Sequence, residues 1–268
     1  MQKRTRRRQD NKMKLMKTGA KSAMVLSLLV GGATTTIATE TDYESIGAVE
    51  FRQGVSPTQP VDPTNPLIPI EPVNPPQEGT YGPLSIDFAP ELDFAINEIS
   101  YEDEIYNAKL VNVKEEEEVD SETLSKRREV PNFIQVTDKR GTNDGWTLEV
   151  KQDGQFRNES TLNKELKGAQ ISLTKTIAVS TSTAKAPTVN SQIDLDPTGA
   201  SSKIMSASVN SGAGTWLAVF GAEQVDAKDA ITLSVPGVTV KDSVFYFTNL
   251  TWTLTNTPGN NTEADLEA

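Results

Sequence analysis

Beyond Gly79 the chain repeats one short pattern: four to nine residues rich in β-branched and aromatic side chains, many alternating apolar with polar, and then a break. The segments are 84–88 (LSIDF), 110–113 (LVNV), 133–137 (FIQVT), 146–150 (WTLEV), 171–179 (ISLTKTIAV), 216–220 (WLAVF), 231–235 (ITLSV), 244–248 (VFYFT) and 250–254 (LTWTL). Alternation with a period of two sends one set of side chains to a buried face and the other to water, which is the signature of a strand. Thr and Ser fill many of the polar positions, as the wet side of a sheet favours. Clusters of Gly, Asn, Asp and Pro separate several segments, and only Glu91 to Tyr106 and Asn163 to Lys167 leave room for a turn or two of helix. The pattern predicts an all-β fold: an antiparallel, sandwich-like single domain over residues 84–268.

Two different patterns precede it. Prolines stand at 57, 60, 63, 66, 69, 72 and 75, every third residue, with Pro76 and Pro83 after them. That period matches one turn of polyproline II, so residues 39–83 read as a polar, extended linker; from Pro57 to Pro76 it would reach about 60 Å at about 3.1 Å per residue. A spacer is the simpler role, and a proline motif for a partner protein is the other. Earlier still, basic residues up to Lys21 lead into the apolar run Ala23 to Val30 and then into small and hydroxyl residues. This is the order of a secretory signal, assigned to 1–38 with Ala38 as its last residue, Ala33 as second choice and Met13 as an alternative start. The apolar run falls short of the roughly 20 residues a stable membrane span requires.

Charge and missing residue types narrow the function. Residues 1–38 hold nine of the 26 basic side chains and one of the 37 acidic ones, so the remainder carries a net −19 against −11 for the whole chain. Such a surface repels nucleic acid and anionic lipid. The chain has no Cys and no His, which excludes disulfides, thiol chemistry, Cys or His zinc sites and His-based catalytic arrangements. Acidic pairs such as Glu102 and Glu104 remain, but their spacing does not bring two carboxylates together across a cleft. The run Glu115 to Glu118 lacks EF-hand spacing and its glycine; with Lys126, Arg127 and Arg128 close behind, it reads as an exposed, self-complementary loop. No enzyme, metal or cofactor is expected.

One local pattern occurs twice, Trp146-Thr147-Leu148 and Trp252-Thr253-Leu254. On a strand each Trp shares a face with its Leu. Side by side, the two strands would form one broad apolar platform. The simpler reading of the platform is core against another sheet; the other is an exposed strip that stacks on sugar rings or anchors a partner. Trp216, in a run apolar at successive positions, reads as core.

These motifs, with their flanks, resemble the WxL-domain proteins of Gram-positive bacterial surfaces. The downstream signature appears as Tyr246, Leu250-Thr251-Trp252-Thr253-Leu254 and Pro258; the upstream one as the stretch Val136 to Phe156, followed by Leu166 to Leu173 and the VPG at Val235 to Gly237. The resemblance covers roughly Gly79 to Thr257. It implies a secreted, non-enzymatic surface protein held non-covalently on the peptidoglycan of the wall by a C-terminal WxL domain. It also implies partners: other WxL proteins, a WxL-interacting membrane protein and wall-anchored surface proteins. In the rival reading the chain is a partner-binding subunit of such a complex, and wall association is secondary. Trp146, Leu148, Trp252 and Leu254 carry over as motif positions, framed by Tyr246, Leu250, Thr251 and Pro258. Because the wall is anionic, a local basic patch of Lys139, Arg140, Lys151 and Lys241 is a further expectation.

Overall fold

A computed structural model describes residues 42–73, 78–119 and 122–259, for 116–125 the backbone only. The signal assigned to 1–38 and the prolines at 75 and 76 lie outside the described residues. Residues 42–49 belong to a separate unit; they carry no regular structure and are exposed. All regular elements lie in the unit that begins at Glu50.

In chain order these are β1 (Val61–Asp62), β2 (Asn65–Pro69), β3 (Leu84–Phe88), β4 (Glu104–Asn107), β5 (Val111–Val119), β6 (Glu122–Val130), β7 (Phe133–Asp138) and β8 (Trp146–Gln152). Then follow β9 (Gln170–Thr174), β10 (Thr176–Val179), β11 (Thr188–Val189), β12 (Gln192–Asp194), β13 (Ser201–Ala207), β14 (Gly214–Phe220), the one-turn helix α1 (Gln224–Ala227), β15 (Ile231–Val235) and β16 (Leu250–Thr255). Three four-stranded antiparallel sheets result, ordered β10-β14-β7-β3, β11-β13-β8-β16 and β12-β9-β15-β4. The expected all-β, antiparallel architecture is observed.

Each sheet sends one face into a common core: Ile134, Val136, Trp216 and Phe220 from the first, Trp146, Leu148, Val150 and Ile204 from the second, Ile171, Leu173, Ile231 and Leu233 from the third. The strands β7 and β14 are buried on both faces; β14 accordingly runs apolar from Trp216 to Phe220, while β7 buries the polar Gln135 and Thr137 beside its apolar residues. Their second face, Phe133, Leu217 and Val219, closes a smaller cluster with Ile70, Phe88, Val113 and Val130.

That smaller cluster corrects the linker expectation. The described proline-rich residues do not stand away as a rod. Strands β1 and β2 form a hairpin, and Pro72 bridges to Val113. The turn is Asp62-Pro63-Thr64-Asn65: the Asp62 carboxylate accepts from the Thr64 amide (2.8 Å) and hydroxyl (2.7 Å), and Pro63 supplies the fixed φ that such a turn favours. Pro66 and Pro69 sit on β2, whose only strand neighbour among the described residues is β1, where a missing N–H is tolerated. Ile70 is buried, and the Gln135 side chain holds the segment by accepting from Val61 N (2.8 Å) and donating to Gln59 O (3.2 Å). Val61 and Ile70, apolar residues between the prolines, provide the burial that a free rod would lack.

Two further segments differ from expectation. The acidic run is not a loop but part of β5, paired with β6; Glu115 stands opposite Lys126 and reaches Arg128 at 3.7 Å, whereas Lys114 faces Arg127 and Glu116 to Glu118 face uncharged residues. The segment 244–248 forms no strand; Phe247 makes one isolated bridge to Arg157. Residues 91–103 are irregular, without the helical turns allowed there.

Candidate functional site

The two tryptophan tripeptides lie on neighbouring strands. Strand β16 runs antiparallel to β8 with Leu254 opposite Leu148 and Trp252 opposite Val150. Directly opposed residues share a face, so Trp146, Leu148, Val150 and Gln152 line up with Leu254, Trp252 and Leu250 on the core side. Trp146 is four residues along β8 from the partner of Trp252, about 13 Å at about 3.3 Å per residue.

The copies differ in burial. Trp146 is 0% exposed, and its indole Nε1 donates to Gly212 O at 3.0 Å. Gly212 has φ 74°, and a Cβ there would lie 2.4 Å from the Ala207 Cβ and 2.7 Å from Trp146 Nε1. Only glycine allows the chain to pass so close to the ring. Leu148 is equally enclosed. Trp252 and Leu254, on the edge strand, are half-buried and pack their inner sides on the core.

The exposed side of Trp252 faces a cleft of about 870 Å³ that opens between β16 and residues 78–94. Leu250, Ile86, Leu92, Phe94 and Phe156 contribute to its apolar wall; Glu78, Asp87, Glu91 and Asp153 are its acidic lining, and among the described residues no Lys or Arg lines it. Phe94 meets Phe156 edge-on, with centroids 6.1 Å apart. The next residue, Ala95, has φ 66°, a conformation uncommon for a residue with a side chain, and its amide is held by the Asp93 carboxylate at 2.8 Å. At the other rim Asp153 accepts from the Thr251 hydroxyl and pairs with Lys151 at 2.9 Å; these contacts, Thr251 first, hold its carboxyl below the usual range. The aromatic motif gave no sign of Phe94, which lies in a stretch with no strand pattern. Phe156 stood at the end of the upstream motif without a role.

Of the frame residues, Leu250 and Thr251 line the cleft, while Tyr246 and Pro258 lie outside its lining. Tyr246 Oη donates to Asn163 O (2.7 Å) and accepts from Asp242 N (3.0 Å), tying two loops together. Asp242 completes that junction: the Thr161 hydroxyl and then the Asn163 amide and side chain pull its pKa down to about 2. Thr251 is exposed on the outer face of β16, and Pro258, also exposed, follows Thr257, whose carbonyl accepts from the Thr147 hydroxyl at 2.9 Å.

The four basic residues do not assemble into a free patch. Arg140 is spent within the fold, donating to both Asp138 oxygens (2.9 and 2.7 Å) and to Gly145 O (2.7 Å); the Asp138 bond raises its pKa further. Lys139 Nζ donates to Ser56 O, Lys151 is paired with Asp153, and Lys241 donates to the carbonyls of Ser100, Pro236 and Thr239. Carboxylates pair with Arg140 and Lys151, whereas Lys139 and Lys241 keep their charge while donating to backbone carbonyls.

Among the described residues no cluster of acidic side chains could hold a metal ion, and no helix is long and apolar enough to cross a membrane. The chain matches no curated protein and no solved structure at a significant level. One family profile does match, described as a WxL domain, surface cell wall-binding, over residues 38–258. That span takes in the proline-rich hairpin, the three sheets and both tripeptides, and the chain belongs to the family of WxL-domain surface proteins, whose domain binds the cell wall.

Proposed function

We propose that this is a non-enzymatic, exported surface protein attached non-covalently to peptidoglycan, with the Trp252 rim of the cleft as its contact. One observation carries this reading: in a domain of a cell-wall-binding family, one of the two motif tryptophans leaves part of its ring open to a cleft walled by further aromatic residues. An indole face stacks on the apolar face of a sugar ring, and carboxylates and hydroxyls such as Asp153 and Thr251 accept or donate to sugar hydroxyls. With Lys139, Arg140, Lys151 and Lys241 all engaged internally, attachment rests on these short-range contacts rather than on attraction of opposite charge. Salt screens over about 8–10 Å at physiological strength, so high salt is expected to leave retention unchanged or improve it.

The test is sedimentation of the exported chain with purified, protein-free peptidoglycan. Pelleting with the wall alone supports the proposal. Pelleting only after a surface partner is added supports a partner-binding subunit instead and removes direct wall attachment.

A further inference from the structure

Among the described residues strand β16 has a strand neighbour on one side only: it ends the sheet β11-β13-β8-β16. The bonding phase of that edge follows from one contact just beyond the ladder, where Asp153 N donates to Asn249 O at 2.9 Å. In an antiparallel pair, hydrogen-bonded and non-bonded positions alternate. Thr251, Thr253 and Thr255 therefore bond back to β8, while the N–H and C=O groups of Leu250, Trp252 and Leu254 point to the open side. The residues whose side chains form the second tripeptide thus also present its free backbone row. Beside that row lies the cleft, with the other open-edged sheet across it: the outer side of β3 is already met by Thr80, which takes Ile86 O at 2.8 Å.

We infer that the β16 edge accepts an added strand from a cationic partner polypeptide, one with Lys or Arg alternating with apolar residues. Backbone groups of Leu250, Trp252 and Leu254 bind it, and its apolar side chains enter the cleft against Trp252, Phe94 and Phe156. Strand addition gives affinity through main-chain bonds and specificity through alternate side chains. The charge is specified by the site. Glu78, Asp87 and Glu91 line the cleft without a lining Lys or Arg, Asp153 beside them is paired with Lys151, and residues 39–268 carry net −19. The same charge disfavours a second copy of this chain as the occupant. The edge of six residues spans about 20 Å, which sets the partner segment at about six or seven residues. This inference uses the same cleft as the proposed wall contact but does not depend on wall binding.

The experiment uses fluorescently labelled, end-capped Lys-Val-Lys-Val-Lys-Val-Lys, its Glu-for-Lys counterpart, and two forms of the cationic peptide N-methylated either at every Val or at every Lys. Anisotropy titrations with the exported chain are expected to show binding of the cationic peptide and at least tenfold weaker binding of the acidic one. Methylation at one parity abolishes binding and at the other leaves it within about threefold, because only one edge of the added strand faces β16. Trp252→Ala weakens it at least tenfold. Equal binding of all three cationic peptides would reduce the effect to unspecific charge attraction and overturn the inference, as would no binding at all. A stable dimer of the chain in light scattering that excludes the peptide would assign the edge to a second copy, also overturning it. If only glycan fragments bind, the wall proposal survives and this inference falls.

Discussion

The two Trp-Thr-Leu tripeptides are identical in sequence and lie on paired strands, yet they have different physical fates. The upstream copy sits on β8, a strand with neighbours on both sides, and its indole disappears under Gly212. The downstream copy sits on β16, the last strand of the same sheet, and its indole stays half open beside the cleft. Strand position, not the motif, decides which tryptophan is core. A motif can therefore be repeated for two reasons at once: one copy builds the sheet, and the other uses the edge that the first one creates.

The largest effect expected is at the upstream copy. Trp146→Ala removes a fully enclosed ring and should cost about 3–5 kcal/mol, lowering the melting temperature by roughly 6–20 °C in a domain of this size. A calorimetric shift of only a degree or two would break the comparison. Next is Gly212→Ala, which forces a left-handed residue and a Cβ into Trp146 and Ala207; a loss of about 1–3 kcal/mol by chemical denaturation is expected with no change of the cleft. Trp252→Ala follows, at about 1–2 kcal/mol, since only part of the ring is taken from water.

The smallest effect concerns pH. Asp242 belongs to the loop junction with Thr161, Asn163 and Tyr246, and its folded pKa of about 2 is below its ordinary value of 3.8. A lowered carboxyl stabilises the fold above the unfolded pKa and loses that contribution as pH falls from about 4 towards 2. Thermal melts across that window should show a drop that Asp242→Asn flattens, whereas Trp146, bonded to a backbone carbonyl, contributes no titration there.

Much of this arrangement was legible in the residues. Strand β3 and strand β15 fall where alternation placed them, and the tripeptides meet as the shared Trp-x-Leu pattern required. What escaped was long-range or non-periodic. Strand β10 separates from β9 at Lys175, whose φ of 55° breaks a strand pattern over 171–179 that looked continuous. The proline period disguised a hairpin because its anchors, Gln135 and Arg128, lie 74 and 66 residues away from Val61 and Asp62. The cleft drew Phe94 from an irregular segment, and no local pattern marks a residue whose role is set by what folds opposite it. The engaged state of Arg140 was likewise invisible: Asp138 stood two residues away, but the bidentate geometry belongs to the folded turn.

Retention of Trp252→Ala on protein-free peptidoglycan, scored beside its melting curve, bears most directly on the claim that the edge tryptophan is a contact and the inner one a support. The account predicts a soluble, folded protein that melts within a few degrees of the parent and no longer pellets with the wall. A variant that pellets as well as the parent would contradict it, because the open indole would then have no part in holding the protein at the surface.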